Sequence, residues 1–179
     1  MLLSACGEQR REPELNIIDD KYRNWYEVFV YSYYDSDGDR IGDLTGLAEK
    51  LDYISDLGMN GIWLMPVMPS PSYHKYDVTD YYDIDPQYGT LENFSAMLEK
   101  AHSLGIDVII DLVLNHTSNE HPWFISAKSG EDSEYRDWYN WSDSPQDGYA
   151  KAGDGYYECR FVNTMPDLNL DNPEVRAEI

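Results

Sequence analysis

The sequence predicts an α/β fold with a parallel sheet, and three observations carry that prediction. Helix-period stretches at 45–57 and 91–104 each run through Leu-Gly into an apolar, strand-forming segment. Those segments are near-continuous in apolar character, as in strands covered by helices on both faces. Strand and helix alternate along the chain, the pattern that parallel sheets with helical crossovers produce.

Taken in order, the first strand is expected over Trp25–Tyr33, where aromatic and β-branched residues crowd together. An acidic loop, Asp35–Asp43, follows. A helix over Thr45–Leu57 aligns Leu47, Leu51, Ile54 and Leu57 with Leu44 along one face. Gly58 stands where a helix takes its left-handed terminal residue. Asn60–Val67 is the second strand, stopped by Pro66, Pro69 and Pro71. A loop rich in Tyr, Asp and Pro then runs from Pro69 to Gly89.

The second helix, Leu91–Leu104, turns Phe94, Met97, Leu98, Ala101 and Leu104 inward, with Thr90 as N-cap and Gly105 as terminator. The third strand, Ile106–His116, is read as buried on both faces and breaks into Asn115, His116, Thr117 and Ser118. Polar residues at the carboxyl end of such a strand occupy the place where α/β folds build their sites. A plain polar turn after a core strand is the simpler alternative.

Residues 117–170 show no long helical or strand period, and so long a simple loop is unusual in a compact domain. A small inserted subdomain is expected there. Asp171-Asn172-Pro173-Glu174 supplies a cap, a first-turn proline and an acid, so a helix begins there and runs to Ile179. The expected organisation is a tether at 1–20, strand–helix units at 21–116, the insert at 117–170 and a helix start at 171–179. These units cannot close a barrel, which takes eight and about 250 residues, so the chain is expected to be a piece.

A net charge of −21 opposes a phosphate-binding groove, so nucleic acid is not an expected partner. Aromatics form 14% of the 179 residues, including sixteen Tyr and five Trp. Core packing accounts for many of them, but not for the Tyr excess in the polar run Tyr73–Tyr88. Rings there suit stacking on sugars, since each offers an apolar plane with a polar rim.

Cys6 and Cys159 imply no disulfide framework, and no stretch approaches the ~20 apolar residues of a membrane span. Leu2-Leu3-Ser4-Ala5-Cys6-Gly7 resembles a bacterial lipoprotein box, in which the cysteine is lipidated after cleavage. Such a signal also needs a basic start and an apolar stretch of about 7–15 residues, which Met1-Leu2-Leu3 does not supply. A chance match of small residues is the competing reading. On the lipoprotein reading the protein sits at the bacterial cell envelope, touching membrane only through a lipid on Cys6. Glu8–Asp20 is then a charged tether.

Three constellations carry chemistry. Asp35, Asp37, Asp39 and Asp43 fall at loop positions 1, 3, 5 and 9, with the Ile41 carbonyl at 7. Hard oxygens so spaced suit Ca²⁺, which takes about six to eight of them. Arg40 at position 6 and Gly46 at position 12 depart from an EF-hand, and the loop follows a strand, so a calcium sensor is not implied. A solvated acidic loop is the plainer reading, but carboxylates this close repel one another without a cation.

His74-Lys75-Tyr76-Asp77 lies in the loop after the second strand, where Tyr76 offers a face for a pyranose and Asp77 an acceptor for hydroxyls. Asn115-His116 has no second histidine or Ser/Cys to make a zinc site or triad, so a hydrogen bond from His116 to a sugar hydroxyl fits better.

Together these residues resemble the N-terminal part of α-amylase family glycoside hydrolases, on the neopullulanase and oligo-1,6-glucosidase side. Asp111-Leu-Val-Leu-Asn115-His116 resembles the family's first conserved region, and Met165-Pro-Asp167-Leu-Asn169 its motif in the inserted domain. Asn115–Phe124 and Tyr135–Tyr139 are similar to the same relatives. The resemblance covers Trp25–Ile179 and implies the first three strands of a TIM (β/α)8 barrel plus the inserted domain.

It further implies that Tyr76 stacks under the sugar at the cleavage subsite and that His116 binds its hydroxymethyl oxygen. Asp77 would be a hydroxyl ligand. Asp111, Asn115 and Asp167 would be structural at the site, and Asp35, Asp37, Asp39, Ile41 and Asp43 would hold calcium. The implied activity is retaining hydrolysis of α-glucan, starch or maltooligosaccharide. The family's nucleophilic Asp, acid/base Glu and third Asp follow strands four, five and seven, beyond Ile179. No catalytic residue is therefore expected within these residues, and the chain alone is expected to be inactive. A non-catalytic sugar-binding or transporter-associated relative of the same fold is the alternative.

Overall fold

The computed structural model describes residues 23–153 and 155–179. The box at Cys6 and the tether at 8–20 lie outside the described residues. Strands β1 (Trp25–Val28), β2 (Gly61–Leu64) and β3 (Asp107–Ile110) form one parallel sheet in that order, with Val28, Leu64 and Ile110 in register. Helices α1 (Leu44–Glu49) and α2 (Leu51–Asp56) follow β1, and α3 (Leu91–Ser103) follows β2.

The helices cover one face of this sheet. Val28, Ile62 and Leu64 share a core with Leu44, Leu47, Leu51 and Ile54 and with Met97 and Ala101 of α3. Each fully buried aliphatic side chain of this kind stabilises by about 1.5–3 kcal/mol. Gly58 (φ 80°) and Gly105 (φ 72°) end the helices in the left-handed conformation that glycine takes without a steric clash.

Several expectations change: β2 stops at Leu64 rather than Val67 and leaves Trp63 41% exposed, and β3 stops at Ile110 rather than His116. The first strand stops at Val28, because residues 30–32 form a 3₁₀ turn in which Ser32 N–H donates to Phe29 O and Tyr33 N–H to Val30 O. Val30 stays buried in that turn, so apolar composition continues after strand pairing has ended. The first helix is broken at Lys50 (φ −99°, ψ 3°), although Leu51 and Ile54 keep to the apolar face. β3 is not buried on both faces. It is one of the two edge strands of the described sheet, and Ile109, Ile110, Leu112 and Leu114 are each at least 40% exposed.

Residues 117–170 build a second, antiparallel sheet from β4 (Trp141–Ser142), β5 (Tyr149–Ala152) and β6 (Gly155–Glu158), in the order β4-β6-β5. Strands of two to four residues are too short to show a period in the sequence. With α4 (Pro122–Ala127) they surround an aromatic cluster of Phe124, Trp138, Tyr139 and Tyr157, which Leu168 and Val175 complete. Val175 belongs to α5 (Pro173–Glu178), which Asn172 caps by accepting from Glu174 N–H. No helix among the described residues is long and apolar enough to cross a membrane.

Candidate functional site

Parallel strands deliver their carboxyl ends to one rim, and three loops are laced together there. Tyr76, in the loop after β2, donates its hydroxyl to Asp111 Oδ2 at 2.6 Å, just past β3. Its carbonyl lies 3.1 Å from His116 Nε2. A carbonyl only accepts, so Nε2 carries the proton and Nδ1 is the bare nitrogen. Asn115 Nδ2 lies 3.4 Å from that Nδ1 and donates to Asp167 Oδ1 at 3.1 Å.

The backbone repeats this lacing. His116 and Asp167 form an antiparallel bridge, Leu168 N–H donates to Asn115 O, and Thr117 N–H donates to Pro166 O. The tip of the 117–170 region is thereby pinned beside the β3 loop. Asn115 and His116 thus meet Asp167, while Tyr76 joins them through His116 and is itself held by Asp111.

The electrostatics follow from partial burial. Burial pushes the Tyr76 hydroxyl up to about 12, with the hydrogen bond to Asp111 adding to it, so Tyr76 stays a neutral donor. Burial lowers the pKa of His116 although the Tyr76 carbonyl and the Asp167 and Asp77 charges oppose it. His116 is therefore a neutral hydrogen-bonding ring near pH 7. Burial raises Asp167, against a hydrogen bond from the Arg160 backbone.

Asp77 lies beneath the rim. It is 6% exposed, and its Oδ1 accepts from the hydroxyls of Ser70 (2.7 Å) and Ser72. The structure thus gives it a loop-bracing contact where the sequence suggested a hydroxyl ligand. Tyr81, which no sequence motif marks, donates its hydroxyl to the Val113 and His116 carbonyls at 2.8 and 2.9 Å. Phe161 is 71% exposed with its ring centroid 5.1 Å from that of His116. Nothing local marks Phe161; only the Met165–Asn169 motif nearby hints at it.

The acidic loop stands apart, after β1. Carboxylate oxygens of Asp35, Asp37 and Asp39 lie within 4.8 Å of one another and could hold a metal ion. The loop coils because each carboxylate accepts the N–H two residues on: Asp37 to Asp35, Asp39 to Asp37 and Ile41 to Asp39. Hydrogen bonds from Gly38 and Arg40 lower the pKa of Asp35 and keep it ionised. The chemistry of this donor set, exposed charged hard oxygens on a turning loop, fits a hard cation. Asp43 differs from the expectation of a fourth carboxylate ligand in the same cluster. Its two oxygens accept from Ser36 and from Gly46 N–H, which makes it the N-cap of α1.

Fold and site together define a parallel α/β protein with an aromatic and polar site at the carboxyl ends of its strands. The α-amylase catalytic-domain pattern matches residues 27–179, and the chain belongs to that family. Alpha-amylase 3 of Dictyoglomus thermophilum is 55% identical over 164 residues, which span 88% of this chain and 33% of that protein. Oligo-1,6-glucosidase of Parageobacillus thermoglucosidasius is 42% identical over 170 residues, spanning 86% and 30%. Among solved structures, Amy13B of Eubacterium rectale has a TM-score of 0.87 at 57% identity over 91% of this chain and 34% of its own. The α-amylase from H. orenii has 0.86 at 52%, over 89% and 36%. The chain spans about a third of the length of these relatives, and its parallel sheet is the first part of their (β/α)8 barrel.

Proposed function

We propose that this chain forms the sugar platform of an α-glucan hydrolase. The carrying observation is that Tyr76 is fixed at both ends, by its hydroxyl on Asp111 and its carbonyl on His116. In this reading the Tyr76 ring is the flat surface under one glucose. His116 Nε2–H passes from the Tyr76 carbonyl to the hydroxymethyl oxygen of that sugar. Asp111, Asn115 and Asp167 hold the pieces in place, and Phe161 shields the hydrogen bonds from water.

Retaining hydrolysis needs a free pair of carboxyl groups about 5–5.5 Å apart. The carboxylates on this rim are already engaged, Asp111 by Tyr76 and Asp167 by Asn115. The role of these 179 residues is therefore to bind the sugar, and no free carboxylate pair for turnover stands on their described rim. Calcium held by Asp35, Asp37 and Asp39, with the Ile41 carbonyl as a further donor, is part of the same proposal. So is an envelope location through a lipid on Cys6, which rests on the sequence box alone.

Affinity electrophoresis tests the binding. The chain should be retarded in gels containing soluble starch but not in gels containing a β-linked glucan, and Tyr76→Ala should remove the retardation. Equal mobility with and without starch contradicts the proposal.

A further inference from the structure

Lys75 is the least expected residue of the site loop. Its backbone is left-handed (φ 64°), a conformation that glycine takes freely and a long side chain disfavours. The residue is nevertheless 1% exposed. Its ammonium meets Asp85 Oδ2 at 2.7 Å and Gln87 Oε1 at 2.7 Å, with the Tyr88 ring centroid 5.4 Å away.

Asp85 is a prepared partner. It is 4% exposed, and it also accepts from Ser70 N–H at 3.1 Å and Gln87 N–H at 2.9 Å. A buried ion pair persists only when its remaining donors and acceptors are satisfied, as they are here. If the turn at residue 75 needed only its conformation, glycine would supply it. A buried charge at that position shows that the side chain itself is used.

What it holds is Tyr76. On one side of Tyr76, Lys75 plugs into Asp85 and Gln87; on the other, Asp77 is gripped by Ser70 and Ser72. The φ of residue 75 sets where the next ring and carbonyl point. We propose that Lys75 is the positioning residue of the sugar platform: its ion pair with Asp85 holds the left-handed turn that presents the Tyr76 ring to sugar and the Tyr76 carbonyl to His116. This rests on the glucan-binding reading for its purpose but not for its geometry.

The test uses the full 179-residue chain with two readouts: ¹⁵N NMR of the His116 Nε2–H, and affinity for maltohexaose. In Lys75→Met the Nε2–H should exchange with solvent at least tenfold faster and maltohexaose affinity should fall at least tenfold. Asp85→Asn should do the same. A Lys75→Met chain that melts lower yet keeps wild-type His116 exchange and affinity overturns the proposal, since a merely structural lysine would behave that way. If Lys75→Met does not fold, Lys75→Gly keeps the turn accessible without the ion pair and is read by the same criteria. If the wild-type chain binds no maltohexaose while His116 exchange still responds to Lys75, the positioning role stands and the glucan reading falls.

Discussion

The Tyr76 hydroxyl sits 2.6 Å from Asp111 Oδ2, so a residue of the loop after β2 is locked onto the end of β3. The lock is charge-assisted and half-buried, and it leaves the face of the ring free of that bond. Tyr76→Phe should cost about 1–2 kcal/mol in urea unfolding, because Asp111 loses its donor. It should weaken starch binding only a few-fold, by loosening one of the two holds on the ring, whereas Tyr76→Ala should weaken binding by about tenfold or more, some 1.4 kcal/mol. Equal binding losses in the two variants would place the hydroxyl, not the ring, against the sugar.

Calcium should raise the melting temperature of the chain and a chelator should reverse it. At a free ion concentration of 100 times the dissociation constant, the gain is about 2.7 kcal/mol. Asp37→Asn should remove most of this response without unfolding the apo chain, since Asp37 is exposed. Asp43→Ala should instead lose about 1 kcal/mol with or without the ion, because the N-cap of α1 goes with it.

Acid should destabilise the aromatic cluster through His121. This residue is 3% exposed, its Nδ1 accepts from Trp123 N–H, and burial depresses its pKa to about 4. The folded state thus holds a neutral ring that the unfolded chain protonates below about pH 6.5. Stability from this residue is complete above that pH and is lost as pH falls towards 4, on the order of 2 kcal/mol. His121→Asn keeps a capping side chain and removes the titration. Unfolding free energies at pH 7 and 4.5 should differ less in the variant than in the wild type; equal differences would contradict the assignment.

The helix α3 offers a local check. Thr90 and Asn93 form a reciprocal capping box, so Thr90→Ala should cost about 1 kcal/mol with no effect on sugar binding. A loss of binding would mean that α3 is coupled to the rim.

Local signals were legible in the sequence wherever one residue decides the structure. Gly58, Gly105, Thr90 and Asn172 act where the pattern places them. The meeting of Tyr76 with Asp111, 35 residues apart, was not legible: the family resemblance marks both as site residues without pairing them, and periodicity says nothing about which loops touch. The early end of β1 was hidden because a buried 3₁₀ turn and a buried strand favour the same apolar residues. Exposure of β3 was hidden because an apolar run reports what a strand is suited to, not what covers it. Lys75 was passed over because a lysine in a polar loop looks solvated, and only its partner Asp85, ten positions away, makes it a buried anchor.

The most direct measurement is a crystal structure of the chain soaked with maltohexaose. The account expects one glucose ring lying flat on Tyr76, with its hydroxymethyl oxygen within hydrogen-bonding distance of His116 Nε2. Sugar bound elsewhere, with Tyr76 and His116 bare, would contradict it.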